Sequence, residues 1–173
     1  MADARSGAAR ALAAVGGIAA AALLRLRILA GEPDDHVLGE CVEALLRLEP
    51  ASSIALVERL LARSDANAEV VALAVGASGA PAAFGVLSAW HEAVTGTPAA
   101  RTALLAIGAL HDERAIAWLL ERVRDDAPRT AAAALEVLGA RRDPALLARV
   151  AAAVAERDES VVRDALARVF PPQ

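Results

Sequence analysis

The sequence predicts an all-α protein: a right-handed α-solenoid of about five helical pairs behind a leading N-terminal helix. The first ground is a five-residue phrase that closes a helix with an apolar residue followed by a small one or a stop. It returns about every thirty residues, at Leu12 to Gly16, Leu45 to Glu49, Ala72 to Gly76, Leu104 to Gly108, Leu135 to Gly139 and Leu166 to Phe170. A fixed period of this size marks a stacked repeat, in which each unit buries its neighbour's apolar face. The second ground is composition: alanine supplies about a quarter of the 173 residues, aromatics 2%, and lysine is absent. Alanine is the best helix former and lets helices approach closely. The third is that no strand pattern competes, since runs such as Ala131 to Leu135 and Ala151 to Ala155 have the wrong residues for sheet.

A leading helix is expected over 3–15, ended by Gly16-Gly17. Arg5 and Arg10 precede the apolar run Ala11 to Leu24, which superficially resembles a signal peptide. The two glycines split that run and Arg25 and Arg27 follow it, so 17–30 reads as the first helix of a pair with 35–48. Leu23, Leu26 and Ala30 are expected to form its packing side. The apolar stretch falls short of the roughly 20 residues a membrane span needs. The second pair is 52–63 with 66–76, with Ser52 and Asp65 as capping residues. Gly76-Ala-Ser-Gly-Ala-Pro81 lacks a strand before it and a lysine after it, so it is an inter-helix turn and not a phosphate cradle. Thr97-Pro98 then starts the second helix of the pair 81–94 with 98–109. Asp112 caps the pair 113–124 with 128–139. Asp143-Pro144 and Asp158 open the helices 144–156 and 159–170. Residues 1–173 are expected to form a single repeat domain.

A net charge of −4 and a pI near 5.4 disfavour the broad basic surface on which nucleic-acid affinity rests. Cys41, alone in the chain, has no internal disulfide partner, and a reducing, cytoplasmic setting is expected.

Paired helices of this length, a small residue closing the second of each pair, and the step Asp158-Glu-Ser-Val-Val-Arg163 resemble HEAT-like repeats of the phycobilisome-lyase type. The resemblance covers nearly the whole chain. It implies that the first helix of each pair lines a convex side and the second a concave side. The arginine of the Val-Arg step recurs at Arg101, whereas the same offset holds Val42, Glu69 and Ala132, so no uninterrupted ladder of Arg–Asp pairs is expected.

Catalytic and metal chemistry find little support. His91-Glu92 is similar to the His-Glu pairs that bind iron in deoxyhypusine hydroxylase, a HEAT-repeat enzyme, but such a site needs several pairs and this chain has one. His36 and His111 stand beside acids at helix starts, where solvated or capping roles suffice. Dispersed single ligands lack the fixed spacing of a metal site, so no metal or cofactor is expected. Cys41 shares a helical face with Val37, Ala44, Leu45 and Leu48 and reads as a core residue. Among HEAT-like enzymes, DNA alkylation glycosylases need a basic, aromatic concave face, which the second helices here do not offer.

Binding is the stronger expectation. The outward faces of the second helices carry His36, Glu40, Glu43 and Arg47, then Glu69, then Arg101 with Leu105, then Arg129 and Glu136, and finally Arg163. This ribbon shifts from acidic toward basic and includes a small-residue patch at Ala72 and Gly76 where a partner backbone could approach. Trp90 shares a face with Phe84, Leu87 and Val94 and reads as core. Trp118 lies opposite the stripe Ile116, Leu119, Leu120 and Val123, between Arg114 and Arg122, as either a binding anchor or a ring covered by arginine stems. At the N-terminal end, the apolar helix 17–30 is either lidded by the first helix or docks onto something, including a second copy. The expected function is a non-catalytic scaffold or adaptor binding a protein or peptide partner, without nucleic acid or membrane. The alternative implied by the resemblance is a HEAT-type enzyme or subunit similar to a bilin lyase.

Overall fold

A computed structural model describes residues 2–63, 65–141 and 143–170. They form α1 (Ala2–Val15), α2 (Gly17–Leu29), α3 (Asp35–Leu48), α4 (Pro50–Leu61), α5 (Ala66–Ser78), α6 (Ala83–Val94), α7 (Ala99–Ala109), α8 (Glu113–Asp125), α9 (Pro128–Ala140), α10 (Leu146–Val154) and α11 (Ser160–Val169). No strand occurs among the described residues. The leading helix and all five pairs stand within two residues of their expected bounds.

Local chemistry accounts for many of the boundaries. Asp34 and Asp65 accept from the backbone N–H of Val37 and Ala68, and Asp112 from that of Arg114. Gly79 ends α5 at φ 67°, a left-handed stop that costs a glycine nothing. Three expected caps do other work. Proline starts α4 at Pro50, which moves Ser52 inside the helix, where its hydroxyl donates to Glu49 at 3.0 Å. Thr97 donates its hydroxyl back to the Val94 carbonyl at the end of α6. Asp158 gives way to Glu159 as the residue before α11.

The helices gather into two compact units, Met1–Leu110 and His111–Gln173. In the first, α1, α3, α5 and α7 pack successively into an inner layer, with α2, α4 and α6 laid against it. The inner contacts are broad and the contact of α4 with α6 is thin, as the resemblance implies for a concave second-helix side. Val37, Cys41 and Leu45 of α3, Val71 and Val75 of α5, and Leu104 and Ile107 of α7 are buried, as are Leu24, Leu56, Leu87 and Trp90 of the outer helices. In the second unit, α9 packs on α8 and α11, and α10 packs on α8. Its core is Leu119, Val123, Leu135, Leu138, Leu146, Val150 and Val162.

The small-residue patch at Ala72 and Gly76 is not open to a partner. A Cβ on Gly76 would strike the Ala106 carbonyl, so α7 of the same chain fills that space. Helix α2 also turns a different side inward from the expected one. Ala20, Ala21, Leu24 and Ile28 are buried, while Leu23 and Leu26 are 54% and 64% exposed. With only Arg25 and Arg27 charged, on opposite flanks, this helix gives periodicity little contrast to read.

Candidate functional site

The inner-layer face of the first unit brings several expected binding residues together. The four-residue spacing of Val37, Cys41 and Leu45 along α3, which Asp34 caps, holds them inward and leaves His36, Glu40, Glu43 and Arg47 toward the outward side. Glu40 accepts from Arg10 of α1 at 2.8 Å, and the His36 ring lies 3.3 Å from the Ser6 hydroxyl. Glu43 pairs with Arg47 one turn on, at 3.3 Å. Between α3 and α5 lies a groove of about 380 Å³. Its rim is Asp35, His36, Glu40 and Glu43, and its floor is Gly39, Val70, Leu73, Ala74 and Ala77.

Leu73 and Leu105 are large apolar side chains on this inner face, 46% and 47% exposed. They lie one repeat apart on the adjacent helices α5 and α7. Leu105 was legible in the sequence. Leu73 was not singled out, although the same period that relates Gly76 to Gly108 relates Leu73 to Leu105.

Other expected residues are held by their own chain. The Glu69 carboxylate accepts the hydroxyl of Thr102 on α7, which ties α5 to α7. Arg101 is exposed on the same helix. In the second unit, Arg129 and Arg163 are exposed, and Glu136 is bound by Arg168 at 2.7 Å. Trp118 is half-buried, with the Arg122 guanidinium 4.8 Å from the ring centre. That contact is the arginine-covered arrangement, with Arg122 also 3.6 Å from Asp126.

The turns between the helices of two pairs hold residues whose role the sequence reading missed. Glu32, in the α2–α3 turn, is buried and accepts from Arg27 at 2.6 Å, from Arg5 at 3.0 Å and from the backbone N–H of Asp34 at 3.1 Å. Burial pushes its carboxyl up, but the hydrogen bonds from Arg27 and Arg5, the Asp34 N–H and the charge of Arg27 outweigh that and hold it below the usual carboxylate range. Arg157, in the α10–α11 turn, donates to the carbonyls of Val123, Arg124 and Asp126 at 2.8 to 3.0 Å, closing the C-terminal end of α8. Glu159 braces Arg157 at 2.8 Å, and its carboxyl is lowered by that guanidinium. A cleft of about 630 Å³ opens beside this turn, lined by both charges and by Asp125, Asp126 and Glu156.

The histidines do not converge. His91 is buried within α6, while His36 and His111 are exposed, and no group of three or more His, Cys, Asp or Glu side chains among the described residues is placed to hold a metal ion. Cys41 is buried, and burial pushes its thiol up, away from the reactive thiolate. No helix among the described residues is long and apolar enough to cross a membrane.

Helical pairs in two layers, repeated about every thirty residues, define the class: an all-α repeat protein of the solenoid kind. Residues 97–170 match the family model of HEAT repeats, and the repeats of that stretch are HEAT-like. None of the curated proteins and none of the solved structures matches the chain.

Proposed function

We propose that this protein is a non-catalytic interaction scaffold whose second-helix face binds a protein or peptide partner. The observation that carries the reading is the exposed pair Leu73 and Leu105 on the inner layer of the first unit, of which Leu73 lines the groove that Glu40 and Glu43 also line. An amphipathic helix could seat apolar anchors on the two leucines and polar or basic groups against the rim, a recurring mode of helix-in-groove recognition. Of the ribbon residues, Glu43, Arg47, Arg101 and Leu105 serve binding in this unit. Glu40 and Glu69 also hold helices together, so changing either perturbs the scaffold itself. In the second unit, Arg129 and Glu136 of α9 are the corresponding candidates, while Trp118 lies on the first helix α8 under Arg122.

The test is affinity capture from the source lysate with the parent chain and with a Leu73→Glu, Leu105→Glu variant. Apolar anchors at a binding centre are worth about 2 kcal/mol or more, roughly 30-fold in affinity. A partner recovered by the parent and lost by the variant supports the reading. Equal recovery by both removes this face as the binding surface.

A further inference from the structure

Among the first helices of the pairs, α2 exposes four large apolar side chains to solvent, where α10 exposes one, Leu147. The outer side of α8 carries Glu113, Arg114, Glu121 and Arg124, and that of α4 carries Ser52, Glu58 and Arg59. The outer side of α2 carries Ile18, Leu26 and Leu29, which are 83%, 64% and 61% exposed, with Ala19, Ala22 and Ala30 between them. Val15 and Leu23 extend this face, 81% and 54% exposed. Together the five large side chains leave roughly 600 Å² open, and with the alanines the face approaches the ~800 Å² per partner of a stable protein interface.

The flanks favour a protein occupant over a lipid surface. An interfacial membrane helix needs basic side chains available to anionic headgroups. The two arginines of α2 are committed within the chain, Arg25 to Glu49 at 2.8 Å and Arg27 to the buried Glu32. The apolar face is thus bordered by charges already paired, which lowers the cost of covering it.

The order of large and small residues selects the occupant. Two copies of α2 laid antiparallel, with a two-fold axis opposite Leu24, set Ile18 against Ala30, Ala19 against Leu29 and Ala22 against Leu26. Ile18, Leu26 and Leu29 then each stand level with an alanine and Leu23 with the stem of Arg25, so large side chains alternate with small or slender ones as close-packed helices require. A self-complementary patch of this kind is what an isologous dimer contact demands. We propose that α2 is a homodimerisation helix, docking antiparallel on α2 of a second copy in this register.

Sedimentation of the full chain across a micromolar concentration series tests the proposal. The weight-average mass should rise from 17.7 kDa toward twice that value. A Leu26→Glu, Leu29→Glu variant should stay monomeric at every concentration with unchanged helix content, because both positions are exposed. The register is read by oxidative cross-linking of an Ala22→Cys variant mixed with a Leu26→Cys variant, Cys41 being buried. The mixture should cross-link several-fold faster than either variant alone. A parent chain that is monomeric throughout, a dimer that survives the double glutamate change, or equal cross-linking by the separate variants overturns the proposal. A monomer that co-sediments with phosphatidylcholine–phosphatidylserine vesicles would instead assign the face to a lipid surface.

Discussion

The two units hold successive repeats together at equivalent places with opposite chemistry. In the first, a buried carboxylate in an inter-helix turn, Glu32, gathers Arg27 and reaches back to Arg5 of α1. In the second, a nearly buried guanidinium in an inter-helix turn, Arg157, reaches back to three carbonyls at the end of α8. The glycines of the recurring phrase differ in the same way. Gly76 faces backbone, the Ala106 carbonyl, whereas Gly139 faces a side chain, that of Val169. The repeat therefore fixes a place where neighbours must be joined, and either sign of charge can do the joining.

Substituting the two glycines should give the largest contrast. Gly76→Ala is expected to cost about 3 kcal/mol, because α7 must move as a body and a close-packed layer resists that. Gly139→Ala is expected to cost about 1 kcal/mol or less. Val169 ends α11, where it can turn aside, and the better helix propensity of alanine offsets part of the strain. Urea-unfolding midpoints of the two variants check this, and equal losses would erase the distinction between backbone and side-chain contact.

The two turn residues come next, at about 2 kcal/mol each at neutral pH for Glu32→Gln and Arg157→Ala, the scale of charge-assisted hydrogen bonds lost at buried groups. Their pH dependence should separate them. The Glu32 carboxyl titrates lower folded than unfolded, so its contribution is complete above the ordinary carboxylate range and disappears as pH falls through the folded value. The gap between parent and Glu32→Gln should accordingly close in acid. The carbonyls bound by Arg157 do not titrate, and only its brace on Glu159 weakens, so the gap for Arg157→Ala should largely persist. Urea midpoints measured from neutral pH downward would show one gap closing and the other holding; parallel curves would contradict this account.

The smallest effect is expected at Trp118. Removing a half-buried ring stacked by Arg122 should cost under about 1 kcal/mol by Trp118→Ala. A loss of partner capture out of proportion to that small loss would return Trp118 to the binding surface.

Helix positions were legible because their signals are local. The recurring phrase and the aspartate starts at Asp65 and Asp112 act within a few residues. The outward placement of His36, Glu43 and Arg47 followed from 3.6-residue periodicity, because α3 has a strong contrast between its faces. The same rule failed on α2, where no such contrast exists. The roles of Glu40 and Glu69 were half-visible: periodicity set them on the outward face, but their partners Arg10 and Thr102 lie about one repeat away along the chain.

By itself, then, the sequence determined the helices, their pairing and the inner-face residues, since a period of about thirty residues and short-range capping chemistry are written along the chain. Tertiary structure alone decided which side of α2 is buried, that α7 closes over Gly76, and that Glu32 and Arg157 join neighbouring repeats. Those outcomes depend on groups from different repeats meeting in space. Packing density and the pairing of buried charge settle such meetings, and neither is a property of any local stretch of chain.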